Sequence, residues 1–299
     1  MDHYQGAVLY VDILGISDLT KKKAKLTPVD YEAWGIKKPS EQNEHFFCAK
    51  LLVSFRACLK EIKKKHQGIQ LTQLSDCAFI WSRKPSAVAL AAQDLMWALV
   101  RKGILCRGGI AFGDVIEPVK VATSLGQFVL GEAVSKAVEY EGKGKGCRLF
   151  TEPELVLTLT GKGPHCDRVD VETFVGLVNP LNGETVDEFR WYLQNLPGSS
   201  ALDDQTKLLG LLELMSALKH SPRFNWNETS EPGKLQLACS IASLSKSTHK
   251  LSSSKDYIFS VEHLMATPIM RSEALQTKVF KIWSDEAAKM FARKNRQRS

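Results

Sequence analysis

No stretch of this 299-residue chain stays apolar for the roughly 20 residues a helix needs to cross a bilayer. The start, Met1-Asp2-His3-Tyr4, lacks the basic and apolar parts of a secretory signal. The cytoplasm is therefore the expected location. No C-x-x-C pair occurs among the 7 cysteines, an odd number, so neither a disulfide framework nor a zinc knuckle is expected. No two of the 7 histidines stand four residues apart, which removes the helical zinc pair. There is no internal repeat and no low-complexity tract. An excess of one charge is also weak: 40 Lys+Arg against 33 Asp+Glu leave +7, gathered largely in residues 21–25, 60–65 and 293–298. Such clusters read as solvated surface before they read as a nucleic-acid face. An anionic small substrate suits the same balance. With 44% hydrophobic and 24% charged residues, the chain has the composition of a globular protein.

What is present is a legible order of elements. Residues 7–11, Ala-Val-Leu-Tyr-Val, predict a buried strand ending at Asp12. Ser40 is placed to cap a helix with Glu41 and Glu44 in its first turn, and Phe47, Leu51, Phe55, Cys58 or Leu59, and Ile62 repeat at helical spacing to about His66. Two strands over 69–74 and 77–81, joined at Ser75-Asp76, predict a hairpin. A helix from Pro85 carries the stripe Val88, Ala91, Ala92, Leu95 and Leu99 and stops at Gly103. Residues 104–112 are strand-like despite Gly108 and Gly109. Further strands are expected over 126–131 and 147–151, with an amphipathic helix from Glu132 to about Glu141 between them. From about Phe189 the pattern turns helical, with stripes at Leu208, Leu211, Leu212, Met215 and Leu218 and at Leu237, Ile241 and Leu244, and a last helix from about Ser272.

The first six elements read β-α-β-β-α-β, an α+β, ferredoxin-like (palm-like) unit. A soft boundary near 195 divides a domain over 1–195 from a helical extension over 196–299. In this topology the third strand lies between the second and the first. The end of the first strand and the hairpin between the second and third then meet at one sheet edge, where the fourth strand begins. Asp12, Asp76 and Arg107 converge there. Taken singly, each aspartate reads as a turn residue. Together they offer hard oxygen ligands for Mg²⁺ or Mn²⁺, and an arginine beside them suits phosphoryl chemistry.

At these positions the chain resembles the class III nucleotidyl cyclases. Residues 10–17, Tyr-Val-Asp-Ile-Leu-Gly-Ile-Ser, resemble their first metal motif, and 74–79, Leu-Ser-Asp-Cys-Ala-Phe, their Gly-Asp hairpin. Residues 107–113, Arg-Gly-Gly-Ile-Ala-Phe-Gly, are similar to their Arg-x-Gly-Ile strand. Leu130-Gly131-Glu132-Ala133-Val134 and Ala137 follow the frame of their Gly-Asp-x-Val-Asn helix. The resemblance covers about residues 5–155. It implies two divalent ions, Mn²⁺ or Mg²⁺, held by Asp12, the Ile13 carbonyl and Asp76. It also implies a head-to-tail homodimer with sites at the interface. There the 3′-hydroxyl of a nucleoside triphosphate attacks its own α-phosphate, releases pyrophosphate and closes a cyclic monophosphate.

The departures narrow the expectation. The transition-state Asn and Arg of the family fall on Ser135 and Glu139. Arg107, Lys136, Lys143, Lys145 and Arg148 are candidate substitutes, Arg107 first. The purine-selecting positions carry Thr72 and, approximately, Phe128, leaving Thr72, Arg107, Phe128, Ser135 and Lys136 as the expected substrate contacts. A free-standing cyclase with both metal acids and no purine pair resembles the pyrimidine (uridylate or cytidylate) cyclases of bacterial Pycsar anti-phage systems. That implies UTP or CTP as substrate, UTP favoured, and a product acting on a separate cyclic-nucleotide-activated effector. Neither a nucleic-acid partner nor a membrane span is expected. Two other functions stay open: a cyclase acting on ATP or GTP, and a cyclase-like module that binds nucleotide without turnover.

Overall fold

The computed structural model describes residues 1–120, 127–161, 169, 171–193, 203–219 and 231–252. Its strands are β1 (Asp2–Ile13), β2 (Gln70–Leu74), β3 (Cys77–Ser82), β4 (Cys106–Glu117), β5 (Leu149–Thr151), β6 (Phe174–Val178) and β7 (Thr185–Phe189). The helices are α1 (Ile16–Thr20), α2 (Pro28–Ala33), α3 (Glu44–Lys65), α4 (Pro85–Arg101), α5 (Glu132–Gly142), α6 (Pro153–Leu159), α7 (Asp204–Lys219) and α8 (Glu231–Ser252). One sheet has the strand order β2-β3-β1-β4-β5-β7-β6. β1 pairs antiparallel with both β3 and β4, and β3 with β2, the arrangement the βαββαβ order predicts.

The described residues form two compact units interleaved along the chain. One takes in 1–13, 52–99 and the described residues from 106 to 193; the other takes in 14–51, 100–105 and the described residues from 203 to 252. In the first unit, strand alternation sends Tyr4, Val8, Tyr10 and Asp12 to one face of β1. By register they lie in rows with Cys77, Phe79 and Trp81 of β3 and with Arg107, Gly109, Ala111 and Val115 of β4. Val8, Trp81, Ala111 and Val115 make a core there with Ala133 and Ala137 of α5. On the opposite face Ala7, Leu9, Val11, Ala78, Ile80 and Ile110 are buried. The expected stripes of α3 and α4 are themselves buried.

Gly109 explains why a strand tolerates two adjacent glycines. A Cβ there would stand 2.1 Å from the Ala137 carbonyl oxygen and 2.6 Å from the Glu141 nitrogen. Helix α5 lies directly on the bare backbone, and any side chain would push it off.

Several expectations need correction. Helix α3 is capped by Asn43, whose Oδ1 accepts the Phe46 N–H at 2.9 Å, and Ser40 lies instead in a short 3₁₀ turn, Pro39–Glu41. The strand expected over 126–131 is, among its described residues, the single bridge Ile116↔Leu130. β4 outruns its expected end at 112 because β1 pairs with it along its whole length. The hairpin β6–β7 extends the sheet beyond β5 and had no sequence expectation. In the second unit the apolar stripes of α7 and α8 are buried as expected. Gly126, the helix from Ser272 and the basic tail lie outside the described residues.

Candidate active site

Asp12 is the penultimate residue of β1. Its Cα partners are Cys77 on one side and Arg107 on the other. Asp76 occupies the two-residue turn between β2 and β3, and its carbonyl accepts the Ile13 N–H at 3.2 Å. That bond ties the two acid-bearing segments together across more than sixty residues of sequence. Ser75, the other turn residue, has φ +55°, a conformation a side chain disfavours and a tight hairpin demands.

The Asp12 carboxyl feels its surroundings. Asp12 is pushed up from its ordinary 3.8 to about 7, first by burial, then by the charges of Asp76 and Glu141. Arg107 and a hydrogen bond from the Ile13 backbone pull in the opposite direction and lose. The reason lies in where the guanidinium is spent. Arg107 Nε donates to Glu141 Oε1 at 2.5 Å, Nη2 makes a second contact with the same carboxylate, and Nη1 donates to the Gly144 carbonyl at 3.1 Å. Both side chains of that pair are largely buried, 13% and 14% exposed. Arg107 is therefore divided between Glu141, which it binds directly, and Asp12, whose rise it offsets only in part.

Glu141 has no signature in the sequence. Its place follows from Gly109: α5 starts over Gly113 and ends over Gly109, so the last turn of α5 comes down beside Arg107, two residues earlier on the same face.

Tyr10 completes the floor. Its ring stands 4.9 Å from that of Phe79, and beside it the Cys77 thiol donates to the Leu74 carbonyl at 3.1 Å. Burial and the neighbouring acids push Cys77 up, so it stays a thiol at neutral pH.

The remaining expected residues fall into two groups. Thr72 is opposite Phe79, which is opposite Tyr10, so it shares the face of Asp12 one row away. Phe128, Ser135 and Lys136 are not brought to the acid pair within one chain. Lys136 is bound to Glu132, Glu152 and Glu154, and Glu152 accepts the Phe112 N–H. Phe112 pairs with Ala7, five residues and about 17 Å along β1 from Asp12. Phe128 is 47% exposed beside the Ile116↔Leu130 bridge, farther still along the sheet. Ser135 is exposed on α5. Among the alternative cations, Lys143 is paired with Glu139 and Glu184, and Arg148 with Glu188. Lys145 is exposed. Arg107 is the candidate that the register sets opposite Asp12.

Among the described residues no group of three or more His, Cys, Asp or Glu side chains could enclose a metal ion. Two aspartates on adjoining segments nevertheless suit a hard divalent cation that keeps water and phosphate oxygens in its other positions. That donor set fits Mg²⁺ or Mn²⁺.

No family model matches the chain, and no curated protein does. Solved structures with a similar fold are cyclase domains. The guanylyl cyclase Cya2 is 14% identical, with 63% of this chain and 91% of that one covered at a TM-score of 0.43. The adenylyl cyclase CyaB from P. aeruginosa is 12% identical, with 62% and 93% covered at 0.41. Adenylate cyclases from Trypanosoma brucei give 14%, 66%, 92% and 0.42. At TM-scores below 0.5 these are distant likenesses. No helix among the described residues is long and apolar enough to cross a membrane.

Proposed function

We propose that the protein is a divalent-metal-dependent nucleotide cyclase that converts a pyrimidine nucleoside triphosphate, UTP ahead of CTP, into its 3′,5′-cyclic monophosphate and pyrophosphate. The observation that carries this is the joined pair Asp12 and Asp76, held by one backbone hydrogen bond, with Asp12 displaced to about 7 by burial and neighbouring negative charge. Two carboxylates brought together in this way would favour a divalent cation over water alone.

Asp12, the Ile13 carbonyl and Asp76 would hold the ions, which supply charge neutralisation for the triphosphate and ease deprotonation of the attacking 3′-hydroxyl. With the Asp12 carboxyl raised to about 7, ion binding would be linked to proton release at that group. Arg107, held by Glu141 and Gly144, would offset part of the negative charge beside the acids. Tyr10 and Phe79 give an apolar floor that limits water around the reacting groups.

Phe128, Ser135 and Lys136 lie along the sheet from the acids in the same chain. They would serve the site across a homodimer interface, each protomer supplying acids to one site and substrate contacts to the other. At Thr72 the chain offers a neutral hydroxyl in place of a charged base-selecting side chain, which favours a small base. A role in anti-phage signalling, through a separate effector that binds the cyclic nucleotide, completes the proposal.

The test is incubation of the purified protein with all four ribonucleoside triphosphates and Mn²⁺, products being identified by mass spectrometry. Cyclic UMP with stoichiometric pyrophosphate is expected. Predominant cyclic AMP or cyclic GMP would replace the substrate assignment, and the absence of any cyclic product would reject the activity.

A further inference from the structure

The hairpin that carries Asp76 is held by a side chain with no part in the chemistry. Gln73 of β2 donates from Nε2 to the Ser75 carbonyl at 2.8 Å, and its Oε1 accepts Arg56 Nε of α3 at 2.9 Å. A guanidinium only donates and a carbonyl only accepts, so these two neighbours fix which end of the amide faces which. The Ser75 carbonyl belongs to the peptide plane shared with the Asp76 nitrogen. Holding that plane restrains the backbone torsions of Ser75, whose φ is +55°, and sets the direction in which Asp76 leaves the turn. On the other side of Asp76, its own carbonyl is held by Ile13. The peptide groups flanking Asp76 are thus both anchored, one through the Arg56–Gln73 brace and one through β1.

We infer that Gln73, oriented by Arg56, is a positioning residue for Asp76 and sets the site's affinity for divalent ions. The inference rests on the cyclase reading above. Unbraced, Ser75 gains from leaving the left-handed region, and Asp76 then samples orientations that do not meet Asp12 at a common ion. Sites of this kind lose function when the supporting contacts allow displacements of the order of 1 Å.

Gln73→Ala is expected to weaken Mn²⁺ binding about three- to ten-fold, the range of one lost hydrogen bond. Binding is read from free Mn²⁺ by electron paramagnetic resonance without nucleotide. Amide exchange at Ile13 should rise by a similar factor, and kcat at saturating Mn²⁺ should hold. Arg56→Ala should shift both readouts in the same direction by less. Adding Ser75→Gly to Gln73→Ala should restore most of both, because glycine takes a positive φ without strain. Since Gln73 lies at the surface end of the hairpin, the thermal midpoint is expected to stay within a few degrees of wild type.

Unchanged Mn²⁺ affinity in Gln73→Ala, with or without faster exchange at Ile13, would overturn the positioning role. An Asp76→Asn control separates the two ideas. If that variant binds Mn²⁺ as wild type does, the metal site itself is misassigned and Gln73 has nothing to position. If Asp76→Asn loses binding while Gln73→Ala keeps it, the site stands and only the brace is wrong.

Discussion

Replacing Asp12 with Asn should remove turnover and yet make the metal-free protein more stable above neutral pH. In the unfolded chain this carboxyl titrates near 3.8, and in the folded site at about 7. Between those values the native state keeps a proton that the unfolded state has released, so stability falls as pH rises through the window and the loss is complete above about 7. The displacement corresponds to at most about 4 kcal/mol. Asp12 retains some solvent contact, so about half of that, ~2 kcal/mol, is expected. Asn fills the same volume without a charge and escapes the penalty. The assay is urea unfolding in EDTA at pH 5 and pH 8. Wild type should lose about 1 kcal/mol between them, the remainder of the loss falling below pH 5, and Asp12→Asn should be nearly flat and the more stable of the two at pH 8. Saturating Mn²⁺ should return the lost stability to wild type alone. A wild-type stability that is level from pH 5 to 8, or an Asn variant weaker than wild type at pH 8, would refute the electrostatic reasoning.

Other substitutions test neighbouring parts of the site. Asp76→Ala should abolish turnover with a thermal midpoint close to wild type, since the side chain lies in a turn that is only partly buried; full activity would remove the mechanism. Arg107→Ala should cost about 3–5 kcal/mol by leaving the largely buried Glu141 without its cation. It should also push the Asp12 carboxyl higher, moving the pH dependence of metal binding upward. Gly109→Ala should destabilise by about 3 kcal/mol or more, because its Cβ meets the backbone of α5 at 2.1 Å; a variant as stable as wild type would mean that α5 does not rest on β4. Ser75→Gly alone should stabilise the hairpin by about 1 kcal/mol in urea unfolding.

The convergence of Asp12 and Asp76 was legible because each local signal was strong and agreed with the next. An apolar run stops at an aspartate, two short strands leave room for only a two-residue turn, and the order of elements dictates which edges meet. The same logic placed the buried stripes of α3, α4, α7 and α8. What it did not reach depends on contacts remote in sequence. Arg107 reads as a free cation for phosphate until α5 is seen to bring Glu141 onto it. Lys136 reads as a contact at the acids of its own chain until Glu152, held by the Phe112 amide, is seen to set it well along β1 from Asp12. Asn43 displaced Ser40 as a helix cap because both fit the local rule and only packing chooses between them. The β6–β7 hairpin escaped notice because its strands are short and half-exposed, with weak alternation.

The most direct test of the central claim is a double-mutant cycle on metal affinity, with Mn²⁺ binding measured for wild type, Asp12→Asn, Asp76→Asn and the double variant. If the two carboxylates grip the same ions, either single change should remove nearly all of the binding, and the double variant should be little worse than either single one. Losses that simply add, or a single variant that binds as wild type does, would show that the aspartates act apart and would contradict a shared metal site.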